Sequence, residues 1–369
     1  MGLVHRNRGL SRSQLTKITG LNRSTIAALV GELVERELVV EVDPDSRNQV
    51  GRPSPIVLPS PRPVGIAINP EIDAITIGVV GLGGRVIKRI RHTTEHSPSA
   101  QEAVAISAAI IAGLRGELVA SYRTVGIGVA VPGLVRSEDG VVRLAPHLGW
   151  VDEPFADLLA EATGFSVVAS NDANLGCLAE STFGVGRGFS DLIYLNGGAS
   201  GIGGGVISNG APLGGFAGYG GEIGHTLVNS AGEVCHCGAR GCLETEVRRA
   251  PLLALVGLTD ADAEELEGAL FAASSPTVLA EVHRQLEFLA IALRNAINIL
   301  NPQLLVLGGF LGSLYAVAPE YLDSLVASQA LAASREVVRV MRAELGSNIL
   351  MIGAAELAFE SIIADPSTF

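Results

Sequence analysis

Gly218-Tyr-Gly-Gly-Glu-Ile-Gly-His225 and, ten positions after that histidine, Cys235-His-Cys237-Gly-Ala-Arg-Gly-Cys242-Leu-Glu244 form the stretch from which the chain is read outward. Three of the four cysteines fall between positions 235 and 242. Cys-x-Cys-x4-Cys with an upstream histidine supplies three thiolates and one imidazole, the ligand set of a closed tetrahedral zinc site. The expected ligands are His225, Cys235, Cys237 and Cys242. Four protein ligands leave no coordination position for a reacting water, so the metal is expected to be structural. The alternative is three small buried hydrophobes beside a loop histidine. Apolar cores do not gather cysteines between glycines, whereas a ligand-bearing knuckle needs glycines to turn sharply.

The same stretch carries a family pattern. Gly201-Ile-Gly-Gly-Gly205, Asn209-Gly210, Gly214-Gly215, Gly-Glu222-Ile-Gly-His225 and Cys-x-Cys-Gly-x-x-Gly-Cys-Leu-Glu244 occur in one order. Together they resemble the signature of the ROK family of repressors, open reading frames and sugar kinases. The resemblance implies an α/β two-lobed body of the sugar-kinase/actin-like (RNase H-like) class.

Composition limits the rest. With 369 residues, 48% apolar and 17% charged, the chain is expected to hold two or three globular domains. The first residues, Met-Gly-Leu-Val-His-Arg, contain no apolar signal core, and no apolar run reaches the ~18 residues of a membrane helix. Cys177 is left over as a buried thiol, which suits a reducing cytoplasm.

Charge is distributed unevenly. Residues 1–62 carry nine Lys/Arg against six Asp/Glu, leaving seventeen against thirty-two elsewhere, a net of −15 for the remainder. A basic head on an acidic body places any nucleic-acid contact in the head.

That head, residues 1–62, reads as a winged helix-turn-helix. Ser11-x-x-Gln14 is a capping box for a helix carrying Leu15 and Ile18, Gly20 supplies the turn, and Asn22 caps a second helix. Ile26, Leu29, Val30, Leu33 and Val34 give that second helix one apolar face. Arg23, Ser24 and Thr25 lie at its N-terminus, where a recognition helix meets base edges and phosphates. Leu38–Val42 and Ile56–Leu58 are short strands around a polar loop ending Gly51-Arg52-Pro53, a wing whose Arg52 suits a minor groove or a phosphate. Arg12 is a further phosphate-binding candidate. A three-helix protein-interaction module with a solvated basic face is the alternative. Only Met1–Arg8 precede the first cap, so either the first helix is short or the chain starts upstream.

Pro59, Pro61 and Pro63 read as a stiff linker. Beyond it, Val64–Ile68, Ala74–Val80 and Arg85–Arg91 are expected strands, 100–120 a helix and Thr124–Val131 a strand. Ser166–Ala169, Asp191–Leu195 and Leu304–Gly309 are further strands, and about 277–300 a long helix ending at Asn301-Pro302. This order resembles a first lobe of 63–169 plus 353–369 and a second lobe of 170–352 bearing the knuckle. By the same resemblance, the C-terminal helix Gly353–Ile363 packs back on the first lobe. Ligands in such folds sit at the carboxyl ends of strands, in a cleft.

Kinases of this family hold ATP partly with an Asp-x-Gly-Gly-Thr turn after the first strand. The matching positions here are Ala67, Asn69, Pro70 and Glu71. Proline lacks a donor and glutamate brings negative charge to where triphosphate would lie. The second phosphate-side loop, Asn196–Gly203, keeps its glycines, which close packing alone would also require. The sugar side is intact by resemblance: Gly133 in Val131-Pro132-Gly133, Asn171, Asp172, Glu222, His225 and Glu244 fall on positions that hold a hexose. Asp172 is the position of the kinase base, here vestigial. Helix capping is the alternative role for Asn171 and Asp172. His147 stands where many members have asparagine.

These readings imply a sugar-responsive transcriptional regulator, a repressor of carbohydrate genes, without phosphoryl transfer. Its partners would be operator DNA, a sugar or sugar-phosphate effector, and further copies in a homodimer or homotetramer, with no membrane. The alternatives are a sugar kinase carrying a DNA-binding head and a regulator released by a protein partner.

Overall fold

Ser11 and Asn22 start the helices that organise the N-terminal residues of the computed structural model, which describes residues 1–43, 54–273 and 275–369. The order is α1 (Gly2–Arg6), β1 (Leu10–Ser11), α2 (Arg12–Thr19), α3 (Arg23–Glu35), β2 (Val39–Val42) and β3 (Ile56–Pro59). Ser11 Oγ accepts the Gln14 N–H at 3.2 Å and Gln14 Oε1 accepts the Ser11 N–H at 2.8 Å, completing the capping box. Asn22 Oδ1 accepts the Thr25 N–H at 2.9 Å. The strands form an antiparallel sheet in the order β1-β3-β2. Val4, Leu10, Leu15, Ile26, Val30, Val39 and Val57 form the small core beneath it. The expected apolar face of α3 is only half used: Ile26 and Val30 are buried, but Leu29 is 43% and Val34 39% exposed. The five-residue α1 is too short to cover both turns.

By contacts the chain divides into two compact units, Met1–Ser170 with Leu350–Phe369, and Asn171–Ile349. In the first, β4 (Pro63–Pro70), β5 (Ala74–Gly81), β6 (Arg85–Thr93), α4 (Ala100–Ser121) and β7 (Arg123–Val131) follow the head. Next come β8 (Leu134–Val135), β9 (Val142–Ala145), β10 (Trp150–Glu153), α5 (Phe155–Thr163) and β11 (Val167–Asn171). The prolines do not make a linker: Pro59 ends β3 and Pro63 begins β4. The main sheet runs β11-β7-β4-β5-β6, with β4 antiparallel to β5 and parallel to β7.

Alternation decides what each face of this sheet receives. Val64, Ile66, Ile68, Ile75, Ile77, Val79, Ile127 and Val129 share one core with Ile111 and Leu118 of α4 and Phe155 and Leu159 of α5. On the other face, Gly65, Gly78 and Gly128 lie against α14 (Ile349–Ala364). A small antiparallel sheet, β10-β9-β8, was not foreseen from sequence. Two helical stretches, Ala100–Ser121 and Gly346–Ala364, are long and apolar enough on average to cross a membrane, which corrects the reading that no segment qualifies. Both instead pack one face on this sheet, α4 through Ile111 and Leu118 and α14 through Met351, Ala354, Ala355 and Ala358.

The second unit opens with α6 (Asp172–Phe183) and places β12 (Leu192–Gly197), β13 (Ile202–Ser208) and β14 (Ala211–Pro212) before the knuckle. After it come α7 (Leu243–Glu246), α8 (Arg249–Leu255), α9 (Ala263–Ala273), α10 (Pro276–Leu300) and β15 (Leu304–Gly309). Then α11 (Phe310–Val317), α12 (Pro319–Gln329), α13 (Ala332–Arg335) and β16 (Arg339–Arg342) complete it. The sheet order is β14-β13-β12-β15-β16. Ile193, Leu195, Leu305 and Leu307 face Leu286, Leu289, Leu293 and Ile297 of α10. Tyr194, Leu192 and Val306 face Cys177 of α6, and burial raises that thiol's pKa. Asn301, at φ 46°, ends α10.

Candidate functional site

The β11–α6 junction supplies the first pair of candidates. Asn171 Oδ1 accepts the Asn174 N–H at 3.0 Å and so caps α6, while Asp172 Oδ1 accepts the Ala173 N–H at 2.8 Å. The capping role is therefore realised. It does not account for Asp172's electrostatics: burial, with the charge of Glu222 adding to it, raises the pKa to about 7.

Glu222 precedes the 3-10 turn Ile223–His225. Burial raises its pKa; His225 opposes the shift and Glu244 adds to it. His225 stands between the two acids, Nε2 at 3.9 Å from Glu222 and Nδ1 at 3.5 Å from Glu244. Glu244 is the second residue of α7 and its side chain is only 8% exposed. Asp172, Glu222, His225 and Glu244 are thus one electrostatically coupled group within the second unit. Gly133 belongs to the first unit. A Cβ there would collide with the Leu144 carbonyl and with Ala145, so β9 by itself demands glycine at that position. His147, also in the first unit, is exposed, and its carbonyl accepts the Ser97 hydroxyl at 3.2 Å.

The knuckle folds as spaced. Gly238 and Gly241 take φ of 90° and 72°, which returns the chain so that Cys242 lies beside Cys237 with sulfurs 3.7 Å apart. Cys235 Sγ is 3.6 Å from His225 Nδ1, and one ligand atom from each of His225, Cys235, Cys237 and Cys242 lies within 4.8 Å of the others. A zinc tetrahedron with Zn–S of about 2.3 Å separates its sulfurs by about 3.8 Å, so the donor set fits a metal. The Cys235 thiol donates to Glu244 Oε1 at 2.9 Å, and a bound cation would displace that proton.

One neighbour was missed from sequence. His236, the middle residue of Cys-x-Cys, places Nδ1 2.9 Å from Glu244 Oε1 and joins His225 and Glu244 as a second potential ligand group. Its place between two ligand cysteines was the available signal. A cavity of about 490 Å³ next to this cluster is lined by Ser200 and Gly201 of the glycine loop, His236, Glu244, Arg248 and Arg249.

The stretch matching the kinase phosphate turn is different in kind. β4 continues through Pro70, pairing Asn69 with Thr76 and Pro70 with Ile75. Glu71 folds back: Oε1 accepts from Thr76 Oγ1 at 2.7 Å and Asn69 Nδ2 at 3.2 Å, and Oε2 lies 3.4 Å from Arg91.

In the head, Arg23 and Ser24 are exposed at the start of α3, and Thr25 is half-buried. The Ser24 hydroxyl donates to Asn22 Oδ1 at 2.7 Å. Arg12 is engaged by Glu41 of β2 through two contacts of 2.5 Å. Arg52 lies outside the described residues.

Comparison with known proteins extends this geometry. The ROK family profile matches residues 66–361. A putative xylose repressor of Caldicellulosiruptor sp. (strain Rt8B.4) is 29% identical, covering 98% of this chain and 94% of its own. A glucokinase of Thermotoga maritima is 32% identical over 63% of this chain and 78% of its own. Among solved structures, a ROK family transcriptional regulator, a homologue of the E. coli MLC protein, superposes with a TM-score of 0.75 at 24% identity, covering 95% of this chain and 91% of that one.

Proposed function

This chain belongs to the ROK family, and on that premise we propose that it is a sugar-responsive transcriptional repressor of carbohydrate genes whose body binds a sugar and transfers no phosphate. The observation that carries this reading is the contrast inside one fold. Glu71 fills the would-be phosphate turn with a carboxylate held by Thr76, Asn69 and Arg91. Glu222 and Glu244 meanwhile flank His225, and burial raises the pKa values of Asp172 and Glu222. Convergent carboxylates suit the hydroxyl donors of a neutral aldose, and an analogue lacking one hydroxyl would leave a desolvated acceptor unpaired. Full-length similarity to a putative xylose repressor, head included, supports the regulator over the enzyme.

The domains proposed are a winged helix-turn-helix head over 1–62, a first lobe of 63–169 plus 353–369, and a second lobe of 170–352. α3 would enter the major groove, with Arg23, Ser24 and Thr25 at the bases and backbone and Arg52 on the wing. Arg12 would reach a phosphate only by exchanging Glu41 for it. His225, Cys235, Cys237 and Cys242 would hold a structural zinc, whose chemistry is to fix the Glu222–Glu244 segment in place. The working form would be a cytoplasmic homodimer or homotetramer reading a repeated operator.

A second reading, a sugar kinase carrying a DNA-binding head, draws on Asp172, whose pKa near 7 suits a general base, and on the glycines of Asn196–Gly203. The test is selection of a duplex from a random library by the full chain. That duplex should then be released by D-xylose, D-glucose or another aldose of a panel. Selection of no duplex, together with sugar-dependent ADP formation, would replace the repressor by the kinase.

A further inference from the structure

His5 is 1% exposed, in a five-residue helix at the edge of a small domain, where a polar side chain is not needed for packing. Its Nδ1 accepts the Gly83 N–H at 3.1 Å, which fixes the ring proton on Nε2. That Nε2 faces both carboxylate oxygens of Glu356, at 3.1 and 3.0 Å, and Glu356 is itself only 8% exposed. Phe359 meets the imidazole edge-on at 5.8 Å between centroids. Arg8 then grips the other side of Gly83, its Nε donating to the Gly83 carbonyl at 3.1 Å. The head therefore holds one residue of the β5–β6 turn by both its N–H and its C=O, and holds α14 by a buried imidazole–carboxylate pair.

α14 uses two stripes. Glu356, Phe359 and Ile363, spaced i, i+3, i+7, point to the head, where a Cβ added at Gly2 would meet Ile363. Met351, Ala354, Ala355 and Ala358 point to the sheet, against Gly78, Gly128 and Gly65. At Gly128 the backbone of β7 meets Ala354 so closely that a Cβ has no room. β7 continues directly into Val131-Pro132-Gly133, where Gly133 matches a family position that holds a hexose. Beyond α14, the Ser367 and Phe369 carbonyls accept Arg36, the C-cap of α3, at 3.0 and 3.3 Å. The Phe369 ring lies 3.7 Å beneath the Arg123 guanidinium at the start of β7. Packed helix–strand contacts without free volume shift as units rather than deform.

We infer that α14 and the turn after it are the transmission element of this protein, and that His5 is the positioning residue through which that element sets the DNA-binding head. The inference rests on the sugar-responsive repressor reading. A displacement of β7 must carry α14 with it at Gly128, and α14 is tied to the head at its middle, by Glu356–His5, and just beyond its C-terminus, by the Arg36 contacts. His5 touches neither DNA nor sugar, so its loss breaks the coupling between the two bindings and leaves each of them in place.

The experiment measures operator affinity with and without sugar for the full chain. It uses the duplex selected by the wild type and whichever aldose of the panel raises its melting temperature. Wild type, His5→Ala, His5→Gln and Glu356→Gln are compared, and sugar binding is followed separately by thermal shift. The wild-type sugar effect is expected at about tenfold or more in operator affinity. In His5→Ala it should fall below about twofold, with sugar-free operator affinity within about threefold of wild type and an undiminished sugar shift. His5→Gln keeps a donor to Glu356 and should restore part of the ratio, a rescue that a merely structural role does not produce. Variants that bind operator and keep the wild-type ratio overturn the transmission role. So does loss of sugar-free operator binding in all three variants, which would make the contact a mere support. A wild type that binds no operator, or whose operator affinity no sugar alters, overturns the repressor reading and this inference with it.

Discussion

Asn69–Glu71 and the Asp172–Glu222–Glu244 group both place carboxylates where a sugar kinase would handle its substrates, yet they treat those charges oppositely. In the first, Glu71 is satisfied within its own hairpin by Thr76, Asn69 and Arg91. In the second, acids are gathered near one another, and burial with mutual repulsion raises the Asp172 and Glu222 pKa values. A carboxylate neutralised by its neighbours offers nothing to a ligand and excludes an anion. Like charges held together against their repulsion are the pattern of a site that meets its partner from outside.

The largest expected effect separates the two regions by their support. Because binding free energy at a structural zinc site is also folding free energy, Cys237→Ser or exhaustive chelation should lower stability by several kcal/mol. It should also abolish the sugar-induced thermal shift while leaving the Glu71 hairpin, in the other unit, protected from hydrogen exchange. Elemental analysis of native protein should give close to one zinc per chain; far less would remove the metal from the account.

Next in size is the sugar response. A ligand at ~100 times its Kd adds about 2.7 kcal/mol to the folded state. Glu244→Gln should remove most of that gain, whereas Glu71→Gln should leave it intact. Equal losses in both variants would erase the contrast.

Asp172 offers a pH test. Its folded pKa, about 7, lies above the ordinary carboxylate value. The folded state therefore binds more protons than the unfolded chain between about pH 4 and 7, and stability is lost as pH rises through that window. Asp172→Asn keeps an acceptor for the Ala173 N–H but cannot ionise. The variant should match wild type near pH 4 and exceed it at pH 8 by about 4 kcal/mol. Identical stability profiles would show that Asp172 is not under electrostatic load.

Smallest is Glu71→Thr, which loses a partly exposed ion pair and should cost under about 1 kcal/mol. It should gain no nucleotide binding, because Pro70 still supplies no N–H.

What was legible in the sequence was local. The Ser11 and Asn22 caps, the knuckle spacing and the α10 stop at Asn301 are each set by residues close in sequence, and each took the expected form. Partnerships between distant residues were not legible. Glu356 and His5 are 351 positions apart, and neither sits in a motif. Periodicity within α3 does not report that Leu29 and Val34 stay exposed while Ile26 and Val30 are buried. The average hydropathy of the α4 and α14 stretches does not by itself report that each lays one face on a sheet. At the site, each acid could be placed from its motif, but the His236 contact that fixes Glu244 Oε1 depended on how the knuckle closes.

Nucleotide turnover tests the central claim most directly. Full-length protein is incubated with magnesium-ATP and each aldose that raises its melting temperature, and ADP is measured against a no-sugar control and against Asp172→Asn. The expected result is a sugar-induced shift in the wild type, no comparable shift with magnesium-ATP, and no ADP above control with any sugar. Sugar-dependent ADP that disappears in Asp172→Asn would contradict it and make the protein a working kinase.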